Sequence, residues 1–320
     1  MRSLTVIALL GSLLFSCNPN KREPQVVELK PAPVFNEDSA YRFIEEQIAF
    51  GFRIPGTEAH EACGNYLASK LTSYGFAVSE QKDTIVGYDN KLFPLRNISA
   101  ILNPQAEKRI LLCAHWDSRP FADQGDEDKD QPIVGANDNA SGVAVILEMA
   151  RIMGQTPSSV GVEIVLFDME DQGRPTFQET DNPDDHGYCL GSKYWSENLT
   201  GAKPDFGILL NMVGAANAEF TLEHFSWEHA SQHLLELWDL GNQLGYDQHF
   251  IYNRTHIIFD DHMHVNQLAG IPCVAIIHQD VKNRSLFWDH WHTKNDQIEV
   301  IDIETLRAVG STCVQMVYNQ

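Results

Sequence analysis

Apolar residues recur at three-to-four spacing over residues 40–50 and 60–74, a period that predicts two helices, and the intervening Arg53-Ile54-Pro55-Gly56-Thr57 reads as a surface loop. Short apolar runs at 97–102 and 109–114 suit strands. Residues 142–153 have the Val, Leu and Met spacing of a helix lying on a sheet. Residues 162–167 are apolar except for Glu163, as expected of a parallel strand covered on both faces. Similar runs at 206–210 and 271–277 alternate with helical patterns at 191–197, 228–244 and 303–317. This alternation predicts one α/β domain, a three-layer sandwich around a mostly parallel, mixed central sheet. Two stretches, 120–135 and 173–187, fit neither period and are rich in Asp and Glu; such insertions in a compact domain are commonly binding loops or mobile cover.

The amino terminus has a different pattern. Arg2 precedes a mostly apolar run over 6–15, followed by Ser16-Cys17. A permanent membrane helix needs about 20 apolar residues, so the run is too short to span. Its ending resembles a bacterial lipoprotein signal in which Cys17 becomes the lipidated first residue; a plain secretory signal is the alternative. Residues 1–17 are thus expected to be a processing segment, 18–36 a tether and 37–320 a single catalytic-type domain. The expected location is outside the cytoplasm, held to a bacterial envelope membrane by lipid alone, and the expected state is a monomer.

Apart from Cys17, five cysteines remain, an odd number without close pairing. Cys113 and Cys273 fall inside strand-like runs and read as small buried apolar residues. Acidic residues outnumber basic ones 44 to 23, which argues against nucleic acid and favours a neutral or cationic partner.

Polar residues follow three of the expected strands: His115-Trp116-Asp117, Asp168-Met169-Glu170-Asp171 and Asn211. One carboxylate past a strand is ordinarily a solvated turn residue. Repetition on three strands instead points to the crevice at the carboxyl edge of an open α/β sheet, where ligands bind. Asp138, in Gly135-Ala136-Asn137-Asp138-Asn139-Ala140-Ser141-Gly142, precedes a helix and could simply cap it, although a carboxylate can cap with one oxygen and bind metal with the other. With Asp171 and His292 it makes a His-plus-two-carboxylate zinc set with an open fourth position. Glu170, next to Asp171, would face substrate as general base and acid, a role that needs a raised carboxyl pKa.

Taken in order, His115-Trp116-Asp117, residues 134–142, Phe167-Asp168-Met169-Glu170-Asp171, Gly191-Ser192 and Trp291-His292-Thr293 resemble the motifs of the zinc aminopeptidase (peptidase family M28) superfamily. Asp260-Asp261-His262 with Trp291-His292 resembles its glutaminyl-peptide cyclase branch, particularly the bacterial lipoprotein-like members. The resemblance covers roughly residues 40–318. It implies one Zn²⁺ per chain on Asp138, Asp171 and His292, and conversion of the amino-terminal Gln of peptides or proteins to pyroglutamate with release of ammonia. The aminopeptidases of this superfamily hold a second zinc, which here would need His115 and an acid at position 211. In the cyclases that acid persists and pairs with another, here Asp260.

Asn211 departs from both patterns. An amide brings no charge to a second cation. It also cannot share a proton with Asp260, though it can donate to it. Asp260 with Asn211 is expected to orient the leaving amide at reduced turnover, with His115 a hydrogen-bonded structural residue that Asp117 orients. His262 and His264 are expected to support Asp260, and His249 is expected at the surface. Trp291 and Phe287 are expected to wall the pocket, with Phe259 and Phe177 as further candidates. Two other functions fit the chain: an M28-type metalloaminopeptidase and a non-catalytic peptide-binding lipoprotein.

Overall fold

The computed structural model describes residues 24–180, 186–280, 282–283 and 286–320; Cys17 and the signal segment lie outside them. The chain runs through α1 (Glu37–Ile48), α2 (Glu58–Ser73), β1 (Ala77–Val86), β2 (Leu92–Leu102), β3 (Arg109–His115), α3 (Gly142–Gln155), β4 (Gly161–Phe167), α4 (Leu190–Glu197) and β5 (Phe206–Asn211). It continues through β6 (Phe220–Leu222), α5 (His224–Gln243), β7 (Phe250–Arg254), α6 (Asp261–His264), β8 (Cys273–Ile277) and α7 (Ile303–Asn319). Six strands form one sheet in the order β1-β2-β4-β3-β5-β8. Its first two pairings are antiparallel and the rest parallel.

Alternation along the central strands divides the core into two layers. In β3, Ile110, Leu112 and Ala114 face the cluster packed under α1, α2, α3, α5 and α7, while Leu111 and Cys113 face a smaller cluster with Trp195 of α4. Every residue of β3, β4, β5 and β8 is buried, which explains why these runs are continuously apolar and also why their face could not be read from the sequence.

Strand β1 carries no apolar face, because it sits at the sheet edge and is largely exposed, so its pattern gives no strand signal. Helix α5 begins before the expected 228: Glu223 accepts from the amides of Phe225 and Ser226, and a break at Ala230 hides the first turn from the periodicity. The five described cysteines are all free and buried. Among the described residues no helix is long and apolar enough to cross a membrane.

The described part of the expected tether does not hang free. The Val27 amide donates to Oε1 of Gln243 and its carbonyl accepts from Nε2 of the same side chain, Gln315 donates to the carbonyl of Lys30, and the Phe35 ring lies over Gly310 of α7. Residues 27–35 are therefore a strap on the domain.

The topology also places the site. Strand β3 lies between β4 and β5, so successive crossovers leave it in opposite directions and a crevice opens at the carboxyl ends of these strands.

Candidate active site

His115 ends β3, and Trp116 continues it with an N–H to the carbonyl of Phe167 at 2.9 Å. Past β4 the chain turns sharply at Met169, whose φ is 58°. Asp117 holds that turn: its carboxylate accepts from the amides of Glu170 (3.2 Å) and Asp171 (3.0 Å) and from Nε2 of Gln172 (3.0 Å). Asp168 braces the other side, accepting from the amides of Arg96 and Met169 and bonding Nε2 of His60 at 2.9 Å. Gly191 of α4 closes against this turn so tightly that a Cβ there would lie 1.9 Å from the carbonyl oxygen of Asp168.

Asp138 is fixed from two directions. The Asp296 carboxylate accepts from the amides of Asn137 (2.7 Å) and Asp138 (3.0 Å). Asn139 ties the loop to the end of β5, donating to the carbonyl of Leu210 and accepting from the amides of Gly142 and Met212. Gly135 enters the loop with φ 65°, and a Cβ there would meet the Asp138 carbonyl at 2.2 Å. The small residues of this motif thus permit backbone to pack on backbone beneath the carboxylate.

These supports bring Asp138, Asp171 and His292 together, with one ligand atom from each lying within 4.8 Å of the others. Nε2 of His292 is 3.0 Å from Oδ1 of Asp171 and 3.6 Å from Oδ2 of Asp138. Neither Asp171 oxygen forms a hydrogen bond although both are buried, which is costly for a carboxylate unless a cation satisfies it. One imidazole and two carboxylates, all buried, fit a zinc-type cation with an open position.

His115 does not belong to this cluster. Its Nε2 bonds Oδ1 of Asp138 at 3.0 Å, and Nδ1 faces Asp117 at 3.5 Å. Burial opposes its protonation, but Glu170, Asp117 and Asp138 outweigh that and push its pKa well up. Asp138 is raised by burial and brought below its usual range by the bond from His115.

Glu170 adjoins the cluster, almost wholly buried, with its pKa pushed well up by burial and by Asp171, Asp260 and Asp261 against the pull of His115. Asn211 turns its amide to Asp260, Nδ2 to Oδ2 at 3.0 Å. Asp260 is raised by burial, with His262 and the Asn211 bond acting against it.

Asp138, Glu170, Asp171, Asn211, Asp260 and His292 all line one cavity of about 390 Å³, with Trp291, Phe287 and Phe259 in its wall. The rings of Phe287 and Trp291 are 4.3 Å apart, and Trp291 stacks on His292 at 3.8 Å. Phe177 is not part of this lining; it is exposed and meets Phe121 edge-on, so it drops out of the wall.

Several contributors gave no sequence signal. Arg119, just before the acidic 120–135 stretch, and Asp123 within it form a buried bidentate pair that nothing marks among many charged neighbours. Arg119 also donates to the carbonyls of Asp171 and Gly173, and Asp123 sits 3.5 Å from Nδ1 of His292. Burial raises the Asp123 carboxyl, but His292 and Arg119 outweigh it and hold it far below its usual range. His186, in the second polar insertion, and Tyr188, just after it, also line the cavity. His249 is buried, with Nδ1 bonded to the carbonyl of Ala218, rather than at the surface. His264 bonds Ser192 through Nδ1.

Glu223 fixes the Asp260 segment from both sides, accepting from the amide of Ile258 at 3.0 Å and bonding Nε2 of His262 at 3.2 Å. Burial raises this carboxyl, yet the His262 bond and the amides of α5 prevail and hold it at about 2. A depressed folded pKa contributes stability above the unfolded value of 4.5 that is lost as pH falls toward 2. Glu223→Gln is expected to cost about 3 kcal/mol at neutral pH, falling toward zero across that acid window. Urea melts of wild type and variant at pH 7 and pH 3 check this; an equal difference at both pH values would contradict it.

Residues 97–317 match the family described as Peptidase family M28. Among solved structures, the chain is 42% identical to Tannerella forsythia glutaminyl cyclase, with a TM-score of 0.88 over 90% of this chain and 100% of that one. It is 40% identical to a Zn-dependent exopeptidase from Parabacteroides distasonis, also with a TM-score of 0.88, over 91% and 100%. Glutaminyl-peptide cyclotransferase of Gloydius blomhoffii is 28% identical over 291 residues, 79% of this chain and 73% of that protein. The chain belongs to peptidase family M28, in its glutaminyl-cyclase branch.

Proposed function

We propose that this protein is a zinc-dependent glutaminyl-peptide cyclotransferase, converting the amino-terminal Gln of peptides to pyroglutamate with release of ammonia. The observation that carries this reading is the buried Asp138-Asp171-His292 triad beside Glu170, in a cavity that Asp260 and Asn211 also line. A zinc ion on that triad supplies Lewis acidity toward the side-chain carbonyl of the substrate Gln. Glu170 takes the proton from the attacking α-amine and returns one to the departing ammonia, so the C–N bond formed replaces the C–N bond broken. Asp260, held by Asn211, orients the carboxamide nitrogen. Amine and amide belong to one residue, so apolar walls need only hold the folded conformer and exclude competing water. Trp291, Phe287 and Phe259 serve that purpose.

The aminopeptidase reading needs a second ion beside Asp138. His115 occupies the free oxygen of Asp138, and position 211 offers an amide turned toward Asp260, which leaves that ion without an acid. Metal analysis together with ammonia release from a Gln-initiated peptide separates the readings. One ion with ammonia selects the cyclase, two with free amino acid the peptidase, and neither product a peptide-binding protein. Asn211→Asp is expected to raise kcat about tenfold, since an acid pair can share the proton that an amide cannot. Unchanged ammonia-release kinetics would show that the amide is not limiting.

The sequence of residues 2–17 supports export and lipidation at Cys17, with the domain acting as a monomer at a bacterial envelope membrane. Mass spectrometry of the membrane-extracted protein tests the lipid.

A further inference from the structure

Cys189 touches the proton carrier but has no part in the chemistry described above. It opens α4 in the left-handed region, φ 56° and ψ 30°, uncommon for a residue with a side chain. The turn docks on Glu170 itself: the Cys189 amide donates to the Glu170 carbonyl at 2.9 Å, and the Leu190 amide to that of Met169 at 3.1 Å. The side chain is wholly buried, with Sγ 3.1 Å from Oε1 of Glu170. Toward a carboxylate oxygen at that distance the thiol acts as the donor. Burial and the nearby acids Glu170, Asp261 and Asp260 favour the protonated thiol. Sγ, one Glu170 oxygen and one Asp260 oxygen all lie within 4.8 Å of one another, so the thiol sits where both acids converge.

We propose that Cys189 is a positioning residue for Glu170: its S–H donates to Oε1 and fixes the rotation of the carboxylate, leaving Oε2 to exchange protons with substrate. The inference rests on the reading of Glu170 as the proton carrier of cyclisation. A thiol suits the task because it is a weak donor. It orients the carboxylate through one oxygen and leaves the other open toward the cavity.

Two readouts on the full-length, zinc-loaded protein test this. The first is the infrared S–H stretch isolated by subtracting the spectrum of Cys189→Ser from that of wild type. It is expected below the frequency of the remaining buried thiols, and to rise when the same subtraction is made in a Glu170→Ala background. A band at the free-thiol frequency, or one indifferent to Glu170, overturns the proposal. The second is kinetic. Cys189→Ala is expected to lower kcat about tenfold with KM little changed, the scale of one hydrogen bond, and Cys189→Ser to restore kcat to within about threefold of wild type.

Equal rates in all three proteins, or equal loss in Ala and Ser, would leave Cys189 a packing residue. Loss of bound zinc in Cys189→Ala would instead make the sulfur a metal ligand. The infrared band reports the contact whether or not pyroglutamate forms, so failure of the cyclase reading is distinguishable from failure of this one.

Discussion

Glu170→Gln is expected to slow pyroglutamate formation by about 10²- to 10⁴-fold while the protein keeps its metal. The carboxylate is not one of the three clustered ligands, and its backbone is held independently by Asp117 and by the amide of Cys189. Glutamine preserves shape and burial but cannot accept the α-amine proton. Burial and three neighbouring acids raise the carboxyl well above its usual range, which strengthens it as a base toward the amine. Ammonia release measured alongside metal content checks the expectation. A variant with more than a tenth of wild-type turnover would remove Glu170 from proton transfer, whereas one that also lost its metal would show that the residue acts on the ion.

The sheet and its ligand-bearing edge were legible because buried parallel strands are apolar throughout and break abruptly into polar residues at their carboxyl ends. His115 and Asn211 are the last residues of β3 and β5, and Asp171 lies four residues past the end of β4. Strand β1 was not legible, since an exposed edge strand needs no apolar face. The strap at 27–35 looked like tether because its bonds are made by side chains more than two hundred residues away. The same physics hid the support of the site. Asp296, Asp123 and Glu223 are acids like many others in an acidic chain, and only the fold turns Asp296 onto the Asp138 amide, Asp123 toward His292 and Glu223 onto the Asp260 segment. Phe177 failed for the converse reason. An aromatic residue in a polar loop was assigned to the cavity by proximity in sequence, and its ring packs on Phe121 instead.

Asp171→Asn is expected to abolish turnover and, more tellingly, to abolish the effect of chelators on stability. The buried Asp171 carboxylate has Nε2 of His292 3.0 Å from one oxygen and no protein donor on the other, and burial with the adjacent Asp138 raises this carboxyl above its usual range against His292. A buried carboxylate short of partners destabilises, so a cation bound there would also stabilise the fold. With free zinc near a thousand times its dissociation constant, binding adds about 4 kcal/mol, a melting shift on the order of ten degrees for a chain of this size. Wild type should lose that increment in chelator. The variant lacks that increment, so its melting temperature should be insensitive to chelator. Lowering the pH should release the metal from wild type by protonating the same ligands. Calorimetry of both proteins with and without chelator decides the matter; a chelator-sensitive Asp171→Asn, or a wild type indifferent to chelation, would mean that the ion is held elsewhere.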